Sequence, residues 1–309
     1  MAMMFTSIFD DPVEWQRYLT EYGANVELRV WPDVGPLEEI EFALVWRPKP
    51  GDLKRYPKLK VIFSMGAGVD HIFIDRELPK HVPVCRIIDE DLTAQMSEYA
   101  IYGVLHYHRK MASYAQAQKD HAWRKAGRGD TPMTRIGVMG VGQIGGDTAR
   151  KLSALGFQVS GWSRTPKTIP GIDMFHGESG LEPFLAGSQF LVCVLPLTNA
   201  THGILNAKTL AMLPKGAFVI NMARGAHVVD RDLIAALDSE HLAGAMLDVF
   251  EKEPLPPEHP FWAHAKIIVT PHIAGDLNPR TCAQQVTENI KRFRAGKPLL
   301  NVVDPTAEY

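Results

Sequence analysis

Six residues at the junction of a strand and a helix restrict the fold of this chain more than any other feature. The apolar run RIGVM (135–139) leads into Gly140-Val141-Gly142-Gln143-Ile144-Gly145, and a helical segment then runs to Leu155 with Gly156 as its stop. The glycines permit a tight turn and a close backbone approach, and the helix N-terminus offers free N–H groups to a pyrophosphate. A bare G-x-G-x-x-G is a weak signal. At a strand-to-helix junction it predicts a dinucleotide-binding, doubly wound parallel α/β sheet. The end of the next strand (158–162) selects the dinucleotide. An acidic residue there would hold the ribose 2′-hydroxyl of NAD, but this chain has Ser163-Arg164-Thr165, with Lys167 nearby. A carboxylate would repel a 2′-phosphate, whereas a hydroxyl and a guanidinium bind it, so NADPH (NADP) is expected in preference to NADH.

Strand and helix signals alternate on both sides of that loop. Asp11 as N-cap, Pro12 at the first helical position and Gly23 past the end bracket an amphipathic helix. Strands are predicted at 26–31, 43–46, 61–65 and 84–87, then one long helix over 92–119 that links two domains. A second series follows, with strands at 135–139, 158–162, 190–194, 217–221, 244–247 and 266–269 and a closing helix over 278–295. With 309 residues, 46% of them hydrophobic, the chain can bury two large cores. The 33 basic and 35 acidic side chains leave a net charge of −2, which gives no general attraction to polyanions and argues against nucleic acid as a partner. The three cysteines, Cys85, Cys193 and Cys282, have no C-x-x-C spacing, so neither a disulfide scaffold nor a zinc site is expected. No apolar stretch approaches the ~18 residues needed to span a bilayer. The N-terminal residues carry three acids and no base before Arg17, the reverse of a secretory leader, so a cytoplasmic protein is expected.

Three ionisable residues follow the last strands of the second series: Arg224 after AFVINMA, Glu253 in DVFEKEP, and His272 in TPHIAG. In an open parallel sheet ligands bind outside the carboxyl ends of the strands, so all three could meet in one crevice. Singly, each is as well read as a solvated loop residue or a surface ion pair. Together with their surroundings they carry a resemblance. The phrases GVMGVGQIGG, VCVLPLTNATHGIL, INMARG, GAMLDVFEKEPLP and VTPHIAG, in this order, resemble the D-2-hydroxyacid dehydrogenase family over essentially the whole chain, and most of all its glyoxylate/hydroxypyruvate reductase A branch.

The resemblance implies catalytic roles for Arg224, Glu253 and His272, and the chemistry agrees. Reducing a 2-keto acid takes a hydride to the carbonyl carbon and a proton to its oxygen, and imidazole is the side chain suited to supplying that proton near neutral pH. A carboxylate bonded to the imidazole favours its charged form and fixes its orientation, the part expected of Glu253. Arg224 would clamp the keto-carboxylate with two parallel hydrogen bonds. Leu195, Pro196 and Asp248 complete the expected cofactor contacts. In the first domain, Gly66-Ala67-Gly68-Val69-Asp70 lacks a third glycine, and its backbone N–H groups could cradle a carboxylate. Ala67 and Gly68 are therefore expected substrate contacts, with Trp46 and Arg47 as pocket wall, and Met65 and the loop around Trp123 as further determinants of pocket size.

The resemblance also implies two Rossmann-like domains with an interdomain active-site cleft. A discontinuous substrate domain (1–98 and 279–309) and an NAD(P)-binding domain (99–278) are expected, in a homodimer built on the latter. Glyoxylate and hydroxypyruvate are the favoured substrates, and a bulkier 2-keto acid is the alternative. A formate dehydrogenase is disfavoured because those relatives carry glutamine where Glu253 stands. A dinucleotide-sensing binding protein of the same fold is the alternative from another class.

Overall fold

The computed structural model describes residues 1–66, 68–127 and 129–304. It divides into two compact units, Met1–Leu92 with the chain from Leu277 onward, and Thr93–Asp276.

The first unit holds five parallel strands, β1 (Ala2–Thr6), β2 (Glu27–Val30), β3 (Ile40–Val45), β4 (Val61–Ser64) and β5 (Val84–Arg86), in the order β2-β1-β3-β4-β5. Helix α1 (Pro12–Glu21) starts as the sequence predicts: Asp11 Oδ1 accepts the Val13 N–H at 2.9 Å, and Pro12 occupies the first turn. Alternation along the strands splits the core into two faces. Met3, Phe5, Phe42, Leu44, Val61 and Phe63 pack with Trp15 and Leu19 of α1 and with Val286 and Ile290 of the closing helix. Met4, Ala43, Val45 and Ile62 form the other face with Leu53, Tyr56 and Ile72, the last from the short helix α2 (Asp70–Phe73). Strand β1 is absent from the sequence expectation. It lies between two neighbours and is covered on both faces, so AMMFT needs only to be apolar throughout and shows no alternation.

The second unit begins with α3 (Glu90–His108) and α4 (Met111–Lys119), a correction to the single helix expected over 92–119. The break is at Lys110, which takes the left-handed conformation (φ 55°, ψ 39°), its N–H held by the Tyr107 carbonyl and its ammonium by the Ala126 carbonyl. The border between units falls within the first turn of α3 and ahead of residue 98. Ser97 already belongs to the second unit, its hydroxyl donating to Asp147 at 2.7 Å.

Seven parallel strands follow: β6 (Arg135–Met139), β7 (Gln158–Ser163), β8 (Asp173–His176), β9 (Phe190–Cys193), β10 (Ala217–Asn221), β11 (Leu242–Leu247) and β12 (Ile267–Val269). Their order is β12-β11-β10-β9-β6-β7-β8, so the winding reverses between β6 and β9. Ile136, Val138, Val192, Ile220 and Met246 face Ala100 and Val104 of α3 and the buried side of α5 (Gln143–Ala154). Met139, Leu191, Cys193, Val219 and Leu247 face α6 (Leu181–Ala186), α7 (Ala207–Ala211) and α8 (Asp230–Asp238). Strand β8, not expected from the sequence, is one of the two edge strands, with β12 at the other edge. The chain then returns to the first unit in α9 (Pro279–Arg294), capped by Asn278. Among the described residues no helix is long and apolar enough to cross a membrane.

Candidate active site

Because all seven strands of the second unit run parallel, their carboxyl ends share one edge, and the residues singled out in the sequence follow those ends in turn. At β6 the glycine loop is tight: a Cβ on Gly145 would stand 1.9 Å from the Gly140 carbonyl oxygen, and Gly140 itself turns at φ +98°. No side chain caps α5, and a Cβ on Gly142 would meet open space. The N–H groups at the start of α5, from Gln143, Ile144 and Gly145, therefore have room before them for a phosphate. At β7 the Ser163 hydroxyl is buried and donates to the Thr165 carbonyl at 2.8 Å, while Arg164 and Thr165 are exposed. Lys167, only noted in passing in the sequence, donates to the Val141 carbonyl at 3.1 Å and so sets a cation on the glycine loop. These groups fit a phosphorylated dinucleotide: helix N–H groups for the pyrophosphate, and the cations of Arg164 and Lys167 in a run after β7, residues 163–167, that carries no acid in its sequence.

Leu195 and Pro196 lead out of β9. The Pro196 carbonyl is held by the Thr201 hydroxyl at 2.7 Å and by His227, a fully buried residue that sequence reasoning missed. His227 Nδ1 lies 3.3 Å from the Arg224 amide nitrogen and 3.0 Å from the Arg224 carbonyl oxygen, and Nε2 lies 3.2 Å from the Pro196 carbonyl oxygen. One imidazole thereby ties the end of β9 to the end of β10. Arg224 is fixed further by Asn221, whose amide donates to its carbonyl, and by a bond from its own Nη1 to the Ala223 carbonyl at 2.8 Å.

The next residue, Gly225, carries a constraint that no motif announces. A Cβ there would lie 1.8 Å from the Phe250 carbonyl carbon and 2.2 Å from the Glu251 nitrogen. The loop bearing Arg224 thus packs backbone to backbone on the segment bearing Glu253. Gly225→Ala is expected to destabilise this unit by about 1–3 kcal/mol or more, because backbone, unlike a side chain, does not swing aside. Thermal unfolding of the variant checks this, and an unchanged midpoint would refute the contact.

Glu253 and His272 meet. Glu253 Oε2 lies 2.9 Å from His272 Nδ1, and its Oε1 accepts the Phe250 N–H at 3.0 Å. Their side chains retain 12% and 25% exposure, so the pair is shielded yet reachable. His272 sits at φ +57°, a conformation seldom held by residues other than glycine. Asp248, expected among the cofactor contacts, explains how it is held. This carboxylate is fully buried and accepts from the Thr270 hydroxyl (2.6 Å) and from the amides of Ile273 (2.9 Å) and Ala274 (2.8 Å), while its own carbonyl accepts the His272 amide (2.8 Å). Tyr99 donates in turn to Thr270 at 2.7 Å. Asp248 grips the loop on both sides of His272.

Of the residues expected in the first unit, Trp46 and Arg47 follow β3 and Gly68 follows β4, where its carbonyl accepts from Ser64 Oγ at 3.1 Å. Ala67 lies outside the described residues. Met65 is 2% exposed and packs in the core on the hydrophobic face it shares with Phe63. Trp123 is fully exposed.

Residues 101–274 match the model of the family described as D-isomer specific 2-hydroxyacid dehydrogenase, NAD binding domain. The whole chain aligns with the whole of glyoxylate/hydroxypyruvate reductase A from Serratia proteamaculans at 40% identity, and with that of Yersinia enterocolitica at 38%. Among solved structures, a D-isomer specific 2-hydroxyacid dehydrogenase from Xanthobacter autotrophicus in complex with NADPH and MES superposes with a TM-score of 0.94 at 42% identity, covering 100% of this chain and 99% of that one. An NADPH-dependent glyoxylate/hydroxypyruvate reductase from Sinorhizobium meliloti, in complex with NADP and sulfate, gives 0.91 at 38% with both chains fully covered.

Proposed function

The chain belongs to the D-isomer specific 2-hydroxyacid dehydrogenase family, and from that premise we propose that it reduces glyoxylate or hydroxypyruvate to the 2-hydroxy acid with NADPH. The observation that carries the reading is the 2.9 Å pair of Glu253 and His272 on a loop gripped by Asp248. The names of the full-length relatives support the two substrates. The second unit is the cofactor unit in this reading, and the first takes the substrate.

NADPH, when bound, supplies the hydride. His272 delivers the proton to the carbonyl oxygen from Nε2, because Nδ1 is engaged by Glu253. Glu253 holds the ring in that orientation, its other oxygen anchored on the Phe250 amide. Arg224 receives the carboxylate and polarises the carbonyl through its planar guanidinium. Gln143, Ile144 and Gly145 would offer their amides to the pyrophosphate, and Arg164 and Lys167 would hold the 2′-phosphate. We also propose a homodimer, which sedimentation as a monomer would contradict.

The test is turnover of NADPH against a panel of 2-keto acids. The expected result is a kcat/KM for glyoxylate or hydroxypyruvate at least tenfold above that for larger acids, about the discrimination a fitted apolar pocket gives. A reversed ranking would assign a bulkier substrate, and no turnover with any acid would favour a dinucleotide-sensing protein. Cofactor choice is tested at Arg164. One guanidinium–phosphate hydrogen bond contributes roughly ten- to a hundred-fold in affinity, so Arg164→Ala is expected to lose that factor with NADPH and to leave NADH nearly unchanged. Equal losses with both would place Arg164 in the fold or against the adenine.

A further inference from the structure

Resting on the reading above, we propose that His71 is a positioning residue for the substrate end of the site, fixing Arg47 and Gly68 through one directional chain of hydrogen bonds. His71 lies on α2, 8% exposed, beside the fully buried Ser64 at the end of β4. The Arg47 backbone amide donates to His71 Nδ1 at 3.1 Å. An amide has only a hydrogen to give, so Nδ1 is the bare nitrogen and the proton of the neutral ring resides on Nε2. Nε2 stands 3.1 Å from Ser64 Oγ and therefore donates to it, and the Ser64 hydroxyl spends its own hydrogen on the Gly68 carbonyl, also at 3.1 Å. Donor and acceptor match at every link, from Arg47 through His71 and Ser64 to Gly68, and the chain ties the turn after β3 to the turn after β4.

Two further contacts show what the ring supports. The Trp46 indole lies 4.5 Å from the imidazole, and the same indole closes over Gly66, where a Cβ would come within 2.7 Å of it. Arg47 stands at φ +48°, a left-handed conformation that needs support outside glycine, and its amide is the group bound to Nδ1. His71 thus reaches Trp46 and Arg47 directly and Gly68 through Ser64, the described residues expected to meet the substrate in this unit. Asparagine in its place would reproduce the acceptor at Nδ1 but not the link to Ser64.

The experiment is steady-state kinetics of the full chain with glyoxylate and NADPH, beside amide hydrogen exchange. In His71→Phe the KM for glyoxylate should rise roughly tenfold, the effect of about one to two lost hydrogen bonds, with kcat little changed and NADPH affinity intact. His71→Asn should recover part of that loss, and Ser64→Ala, which cuts only the Gly68 end, should raise KM by less than His71→Phe. Exchange at the Arg47 amide should quicken in His71→Phe and stay slow in Ser64→Ala. Should His71→Phe not fold, the ranking of wild type, His71→Asn and Ser64→Ala decides. A wild-type KM in the His71 variants, or a fall in kcat at constant KM, overturns the proposal. If the wild type reduces no 2-keto acid, the activity reading fails, and exchange at Arg47 still judges the hydrogen-bond chain: an unchanged rate in the His71 variants refutes it.

Discussion

His272→Ala is expected to lower kcat for keto-acid reduction by roughly 10²–10⁴-fold, the usual contribution of a placed general acid. The geometry makes the loss specific to the proton. His272 gives Nδ1 to Glu253 at 2.9 Å, and its backbone, which the substitution keeps, is bonded to Asp248. The alanine chain retains the glycine loop and the β7 end untouched, so NADPH affinity, read by fluorescence titration, should stay where it is. A loss smaller than about tenfold would mean that another group protonates the oxygen. A parallel loss of NADPH binding would mean that the loop had collapsed and that the side chain was structural.

Asp248→Ala is expected to affect stability and turnover together. Removing this buried carboxylate leaves the amides of Ile273 and Ala274 and the Thr270 hydroxyl without their acceptor. Each buried donor left unmatched costs about 1–3 kcal/mol, so the two amides alone amount to about 2–6 kcal/mol. For a unit of this size that is a fall in Tm of roughly 5–20 °C. Turnover should fall as well, because the left-handed turn at His272 loses what grips it. Thermal unfolding followed by circular dichroism, with kcat measured well below the transition, gives both numbers. An unchanged Tm with a raised KM for NADPH would return Asp248 to the cofactor, the role expected from sequence.

What the sequence made legible and what it hid separate along a physical line. The glycine loop is readable because a pyrophosphate and a tight turn demand backbone without side chains, and only glycine supplies that. Arg224, Glu253 and His272 are readable because their phrases recur in a family; charge and spacing alone did not distinguish them from loop residues. Asp248 shows the reverse. Asp248 was expected only as a cofactor contact, and its three donors, drawn from residues 22 to 26 positions away, add a hold on the His272 loop that the sequence did not show. His227 and His71 were invisible for a related reason: each joins groups from two separate strand ends, backbone on both sides for His227 and the Arg47 amide and Ser64 hydroxyl for His71, and such pairings leave no periodicity in the chain. Strand β1 lacked alternation because both its faces are covered. The helix over 92–119 looked continuous because nothing in its residue types forbids it, and the break at Lys110 is set by a tertiary bond to Ala126.

The first unit is made of two stretches of chain with the second unit inserted between them. A ribosome delivers these pieces in order, which separates the two units in time. Residues 93–276 are all present once the chain has passed Asp276, but β1 to β5 must wait for α9, whose Val286 and Ile290 cover the face built from Phe5, Phe42 and Phe63. Until then that side of the sheet has only α1 to cover it, and the part that α9 takes is bare apolar surface, of the kind that invites aggregation or a chaperone. The inserted unit is therefore the one positioned to fold during synthesis, while the half of the protein that emerges first is the last to be completed.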